Sequence, residues 1–136
     1  MTGGKNMPER SSDWFKQAAR DLESAKAQAK DGFFEWSCFI AQQAAEKAVK
    51  AIYQKLGAEA WGHSVRDLFK GLSKKIKITT TLLESARDLD KFYIPARYPN
   101  GWASGTPSEY LSRKDAQDAI SNSKRILRFC KGILVK

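Results

Sequence analysis

The sequence predicts an all-α fold, an up-and-down antiparallel bundle of about five helices, and three observations predict it. Apolar residues recur at steps of three and four through most of the 136 residues. No segment alternates convincingly with the period of two that a half-buried strand requires. The helical stretches are joined mostly by short turns, which favours antiparallel neighbours. A length of 136 residues suits one domain, and 42% hydrophobic residues, with 7 Phe, 4 Trp and 4 Tyr, are enough for a buried core. The expected organisation is a flexible segment over 1–11 followed by one helical domain over 12–136.

The first helix is expected to start at Ser11 or Ser12, where a hydroxyl can cap it, and to close before Gly32. Its stripe is Phe15, Ala18, Leu22, Ala25 and Ala29. The second runs from Phe33 to Leu56, with Cys38, Ala41, Ala45, Ala48, Val49, Ile52 and Leu56 on one face and Gly57 as its stop. Ser64 with Asp67 resembles a capping box, so a short third helix carries Leu68, Phe69 and Leu72. Thr81 with Glu84 repeats that signal, and Leu82, Ala86, Leu89 and Tyr93 define a fourth helix ended by Pro95. Ser112 with Asp115 opens the last helix, whose seam is Ala116, Ile120, Ser123, Leu127, Cys130 and Leu134. Between these two helices, residues 95–111 hold three Pro, two Gly, two Tyr and a Trp. A segment this long is expected to be an ordered loop against the bundle end, with a flexible loop as the alternative.

The formal net charge is +9, and it is uneven. Residues 1–68 hold ten basic and nine acidic side chains, whereas residues 69–136 hold fourteen and six. Such a field suits phosphate, nucleic acid or an acidic protein, or it is a solvated face. Cys38 and Cys130 fall on apolar stripes and are expected to be reduced core residues. No apolar run is long enough to cross a bilayer, and Met1–Arg10 lacks a hydrophobic signal segment, so a cytoplasmic protein without membrane association is expected. His63 is the only histidine, which leaves no multi-imidazole metal site, and no phosphate-cradling glycine loop is present; no cofactor or metal is expected.

Three groups of residues could carry a function. Gln43, Glu46, Lys47, Lys50 and Gln54 lie at helical spacing on the second helix, with Gln42 at the border of its apolar stripe. They either hold a nucleotide or a partner, or form an ordinary surface with an i,i+4 pair at Glu46 and Lys50. Arg113, Lys124, Arg128 and Lys131 share one flank of the last helix and, with Lys74, Lys75 and Lys77, could neutralise phosphates or snorkel over the core edge. Arg97 and Tyr98, in Arg97-Tyr98-Pro99, could grip a phosphate and stack a base; alternatively Arg97 bonds the last carbonyls of the fourth helix. His63, just before the Ser64 cap, reads as a helix-start residue whose ring bonds nearby backbone.

Several blocks together carry a resemblance. They are Trp14-x3-Ala18-x2-Asp21-Leu22-x2-Ala25, the run Ala41-Gln42-Gln43-Ala44-Ala45-Glu46-Lys47-Ala48-x-Lys50-Ala51, His63-Ser64-Val65, and Leu89-Asp90-x-Phe92-Tyr93-Ile94-Pro95-x-Arg97-Tyr98-Pro99. In order and spacing they resemble the HEPN family, the higher eukaryote and prokaryote nucleotide-binding domain, over residues 12–133. The resemblance implies a helical bundle, a homodimer, and a minimal nucleotidyltransferase partner encoded nearby. It also implies that Gln42, Gln43, Glu46, Lys47, Lys50, Arg97 and Tyr98 are the site candidates.

Many HEPN proteins are metal-independent ribonucleases or toxins that use an Arg-x4-6-His motif. Here four to six intervening residues after Arg97 lead to Trp102, Ala103 and Ser104, and His63 precedes the arginine. General acid–base help is typically worth about 10²- to 10⁴-fold, and its histidine is missing from the motif. The expectation is therefore a non-catalytic HEPN domain that binds nucleotide or RNA phosphate, or pairs with a nucleotidyltransferase. A ribonuclease or toxin of a toxin–antitoxin pair, with His63 substituting in space, is the alternative.

Overall fold

The computed structural model describes residues 9–136, and every described element is helical. The elements are α1 (Ser11–Lys30), α2 (Phe34–Leu56), α3 (Val65–Leu72), α4 (Thr80–Asp90), a single 3₁₀ turn (Pro99–Gly101), α5 (Pro107–Tyr110) and α6 (Arg113–Leu134). Residues 1–8, and with them most of the expected flexible segment, lie outside the described residues.

α1 starts at Ser11, but no serine hydroxyl caps it. The Glu9 carboxylate accepts the Ser11 backbone N–H instead, and its bonds to Ser11 hold that carboxyl below its ordinary range. A carboxylate does this well, because it satisfies an orphan donor and sits at the positive end of the helix dipole. Three residues separate α1 from α2, so the two pair as an antiparallel hairpin turning at Gly32, whose φ of 88° suits glycine.

α2 is the central helix, packed by α1 on one side and α6 on another, with α3, α4 and α5 covering the rest. Fully buried Ala41, Ala44, Ala45, Ala48 and Ala51 have no long side chains to hold the neighbours away. Twelve of its 23 residues are buried, too many for a single stripe, so polar positions Gln42 and Glu46 end up inside. Gly57 ends the helix in the left-handed region, as expected.

The core continues through Val49 and Ile52 of α2, Phe69 of α3, Leu89 of α4 and Ile126 of α6, all fully buried. Phe69 meets Phe129 edge to face, with ring centroids 6.0 Å apart. Cys38 and Cys130 are free and buried; burial raises the Cys38 thiol to about 12 and pushes Cys130 up as well.

Three expectations need correction. The cap of α4 is Thr79, whose hydroxyl accepts the Leu82 N–H at 3.2 Å, rather than Thr81. Consecutive threonines offer several registers, and the extended backbone at Thr79 brings its hydroxyl to that donor. The helix then ends at Asp90, so Tyr93 stands in a run of turns beyond it. On α6, whose Ser112–Asp115 capping box is present on both sides, Ala119 and Ile126 are buried while Ile120 and Leu134 are only partly so. α6 faces α1, α2 and α4 together, and that broad contact replaces a narrow heptad seam.

The 95–111 loop is ordered against itself and the bundle. Trp102 and Tyr110 stack at 4.3 Å with an interplanar angle of 4°. Trp102 Nε1 donates to the Pro95 carbonyl at 2.7 Å, and Tyr110 Oη donates to that of Ser104 at 2.6 Å. Thr106 and Glu109 form a reciprocal capping box that starts the one-turn α5, an element the loop reading missed.

Candidate functional site

The polar block of α2 divides once the bundle closes. Lys47 turns to α1, where its ammonium meets Asp21 at 2.6 Å. The others turn toward α3. Gln42 is fully buried rather than at a border; its Nε2 donates to the His63 carbonyl at 2.9 Å, and its Oε1 accepts from Gln43 at 2.8 Å. Glu46, 5% exposed, accepts from Lys50 at 3.0 Å and from Gln43 at 3.3 Å. Buried polar groups are tolerated when they are bonded in this way, since an unpaired one costs about 1–3 kcal/mol. Gln42, Gln43, Glu46 and Lys50 thus form an internal network, with their side-chain groups engaged by one another.

That network holds His63. Its Nδ1 lies 3.2 Å from Glu46 Oε2, so the ring bonds a carboxylate rather than the backbone expected. The ring is 56% exposed and stacks on Tyr93 at 4.8 Å, 16° from parallel. Asp90 is the residue that sequence reasoning passed over as a site element. Its carboxylate accepts from Ser64 Oγ at 2.9 Å, from the Val65 N–H at 2.9 Å and from the Arg66 N–H at 3.1 Å. These are the first donors of α3, where a negative charge is stabilised by the helix dipole. Asp90 therefore fixes the start of α3, Gln42 fixes the carbonyl before it, and the imidazole has a defined position against Glu46. The available signal was the Leu89-Asp90 block, but spacing alone does not tie Asp90 to residues 24 to 26 positions earlier.

Arg97 shares Tyr93 with His63. Its Nε donates to the Tyr93 carbonyl at 2.8 Å, in the turns beyond α4 rather than at the last carbonyls of that helix, where one alternative places the bond. Its guanidinium carbon lies 4.5 Å from the ring centre of Phe39, 4.6 Å from that of Tyr93 and 4.9 Å from that of Tyr98. Each such contact is worth about 0.5–1 kcal/mol at an exposed site and rises when water is excluded. The two terminal nitrogens have no hydrogen-bond or ion-pair partner among the described residues. Trp36 meets Phe39 edge to face at 6.2 Å and extends the aromatic surface. Tyr98 is 47% exposed beside it.

The basic flank of α6 is arranged differently. Arg113 lies over the Phe34 ring at 5.0 Å, near the start of α2. Lys124, Arg128 and Lys131 are exposed, and none of the four has an ion pair among the described residues. At a rise of about 1.5 Å per residue, Arg113 and Lys131 stand about 27 Å apart, so the flank is a line rather than a site. Lys74, Lys75 and Lys77 are exposed between α3 and α4.

Chemically, the surroundings of Tyr93 offer a guanidinium whose terminal nitrogens have no partner among the described residues and an imidazole bonded to a carboxylate. The first suits a phosphate, which two parallel N–H groups can grip, and the second has a ring nitrogen that can donate or accept a proton. Among the described residues no group of three or more His, Cys, Asp or Glu is placed to hold a metal ion, and no helix is long and apolar enough to cross a membrane.

Comparison with known proteins places this arrangement. The chain is similar in structure to TT1696 from Thermus thermophilus, with a TM-score of 0.89 and 38% identity, over 92% of this chain and 98% of that one. ST0689, an archaeal HEPN homologue, is similar with a TM-score of 0.78 and 42% identity over 92% and 98% of the two chains. A HEPN domain protein, tm0613 from Thermotoga maritima, gives 0.76 and 38% over 91% and 98%. In sequence the chain is 27% identical over 130 residues to the candidate toxin MJ1304 of Methanocaldococcus jannaschii, covering 89% of this chain and 86% of that protein. The family model described as HEPN domain matches residues 11–133. A match from the first turn of α1 to the last turns of α6, on a bundle shared with these neighbours, makes the chain a member of the HEPN family.

Proposed function

We propose that this HEPN protein binds the phosphate of a nucleotide or of RNA on the Tyr93 face, with Arg97 as the receptor. The observation that carries the reading is the state of Arg97. One bond and three aromatic rings hold the guanidinium in place, while both terminal nitrogens remain unpartnered among the described residues. A positioned, unpaired arginine beside an exposed Tyr98 ring has the donors for a phosphate and a surface for a base. The excess positive charge of residues 69–136 would attract such a ligand from a distance.

In this reading Gln42, Gln43, Glu46 and Lys50 shape the site from within, and Lys47 ties α2 to α1. The basic flank of Arg113, Lys124, Arg128 and Lys131 contributes attraction rather than specificity. The same reading takes a homodimer, a cytoplasmic location and a minimal nucleotidyltransferase partner from the family likeness. Calorimetric titration with ATP and with a short RNA tests it. Binding that weakens about tenfold or more in Arg97→Ala supports the site, given about 1.5–3 kcal/mol for a hydrogen bond to a charged group; unchanged binding removes it.

One observation favours a second reading, metal-independent RNA cleavage by a toxin. In this reading His63 stands in for the histidine missing from the sequence motif, which is supported by two contacts: His63 and Arg97 both touch the Tyr93 ring, and the imidazole bonds Glu46. His63 would move a proton at the 2′-OH while Arg97 holds the phosphate charge. Its likeness to the candidate toxin MJ1304 agrees with this role. Incubation with RNA in the presence of a chelator decides between the two. Cleavage that both His63→Ala and Arg97→Ala abolish establishes the enzyme, whereas intact RNA leaves the binding role.

A further inference from the structure

A second opening lies between the first two helices and the segment leading to α3. It is a cleft of about 300 Å³ lined by Trp14 of α1, by Lys50, Tyr53 and Gln54 of α2, and by Glu59 and Trp61 of the segment leading to α3. Trp61 is 77% exposed, the most exposed large apolar side chain described. Its burial elsewhere would gain more than its packing here does, and such a residue often marks a contact surface. The Tyr53 hydroxyl is turned away and donates to the Leu68 carbonyl at 2.6 Å, so Tyr53 presents a fixed wall.

The cleft has the groups that a planar heterocycle uses. Trp14 and Trp61 offer two indole faces. Gln54 Oε1 accepts the Arg10 N–H at 3.3 Å, which leaves its amide N–H groups as donors, and Glu59 brings a carboxylate acceptor. A donor and an acceptor beside stacking rings can match the edge of a base. A second cleft of about 390 Å³, lined by Arg10, Asp13, Gln17 and Lys47, shares Trp14 with it; its two cations are engaged, Arg10 by Asp13 and Lys47 by Asp21.

The cleft is also joined to the Tyr93 face. Lys50 lines it and donates to Glu46, Glu46 holds His63, and His63 stacks on Tyr93, against which Arg97 lies. We infer that the Trp14–Trp61 cleft is a nucleobase site, and that the ligand is a single-stranded oligonucleotide long enough to place a phosphate on Arg97 and one of its bases in the cleft. This rests on the phosphate reading of Arg97 and narrows it, because a mononucleotide would occupy only one of the two places.

The test is fluorescence anisotropy with a dye-labelled 2′-O-methyl oligoadenylate octamer, which 2′-OH chemistry cannot consume, and displacement by AMP. The octamer should bind the wild type at least about tenfold tighter than AMP. Trp61→Ala should weaken the octamer by about 5- to 150-fold, the range of one base–aromatic stack, and leave AMP unchanged. Trp61→Phe should recover most of the loss, and because Trp61 is exposed both Trp61 variants should show wild-type circular dichroism.

Octamer binding that is lost in Arg97→Ala but unchanged in Trp61→Ala and Trp14→Ala overturns the cleft and leaves the Arg97 reading in place. Loss in the tryptophan variants with no change in Arg97→Ala does the reverse. No octamer binding by the wild type overturns the cleft, and the calorimetric titration with ATP then decides the Arg97 reading by itself.

Discussion

Two regions on either side of His63 use the same residue types in opposite ways. In the α2–α3 junction, Gln42, Gln43, Glu46 and Lys50 are buried or nearly so, and their side chains bond one another. In the turn after α4, Arg97 is equally well positioned, by one backbone bond and three rings, yet its charged end has no partner among the described residues. The first arrangement stores stability and the second leaves interaction capacity for a ligand. A charged residue in a family block is thus read correctly only when its partners are known.

The comparison can be broken by substitution, and the largest effect is expected inside. Glu46→Ala removes the acceptor of Lys50, Gln43 and His63, and leaves an ammonium whose side chain is only 15% exposed. A loss of about 3 kcal/mol is expected, as for breaking a buried pair, and urea denaturation measures it. Asp90→Ala leaves two backbone donors of α3 and the Ser64 hydroxyl without their acceptor. About 2 kcal/mol is expected in the same assay, together with faster amide exchange at Val65 and Arg66. A stability unchanged by both variants would mean the junction is not the scaffold described.

Outside the junction the expected costs fall. Arg97→Ala should lose about 1 kcal/mol, from one hydrogen bond and cation–π contacts on a partly exposed side chain. Its effect belongs in binding instead. Smallest is the flank of α6: Lys124→Glu with Arg128→Glu should change stability by less than about 0.5 kcal/mol, since neither side chain has an ion-pair partner among the described residues. That double variant should slow association with RNA at low salt and leave the dissociation rate alone, which stopped-flow fluorescence distinguishes.

Most of the fold was legible because its signals are local. The Ser112–Asp115 box, the Gly57 stop and the apolar stripe of α1 involve residues at most a few turns apart, and each stands where it was expected. The cap of α4 was misread because Thr79 and Thr81 both satisfy the local rule and only the backbone before the helix chooses between them. The one-turn α5 was hidden in a loop whose proline and glycine content masks its own capping box.

The site was less legible because it is assembled across the chain. His63 comes before Arg97 in sequence, which defeats a motif written in chain order, yet both reach Tyr93 once α4 ends at Asp90. Gln42 looked like a border residue because a single stripe was assumed for α2, whereas neighbours cover most of that helix. No spacing rule links Asp90 to the start of α3.

The central claim is that the unpartnered end of Arg97 is a phosphate receptor while the junction beside it is scaffold. Calorimetric titration of wild type and Arg97→Ala with the same 2′-O-methyl RNA octamer tests it most directly, with the urea midpoint of each protein measured alongside. Binding is expected to weaken about tenfold or more in Arg97→Ala, with the protein still folded and its midpoint shifted only slightly. Equal affinity in the two folded proteins would contradict it.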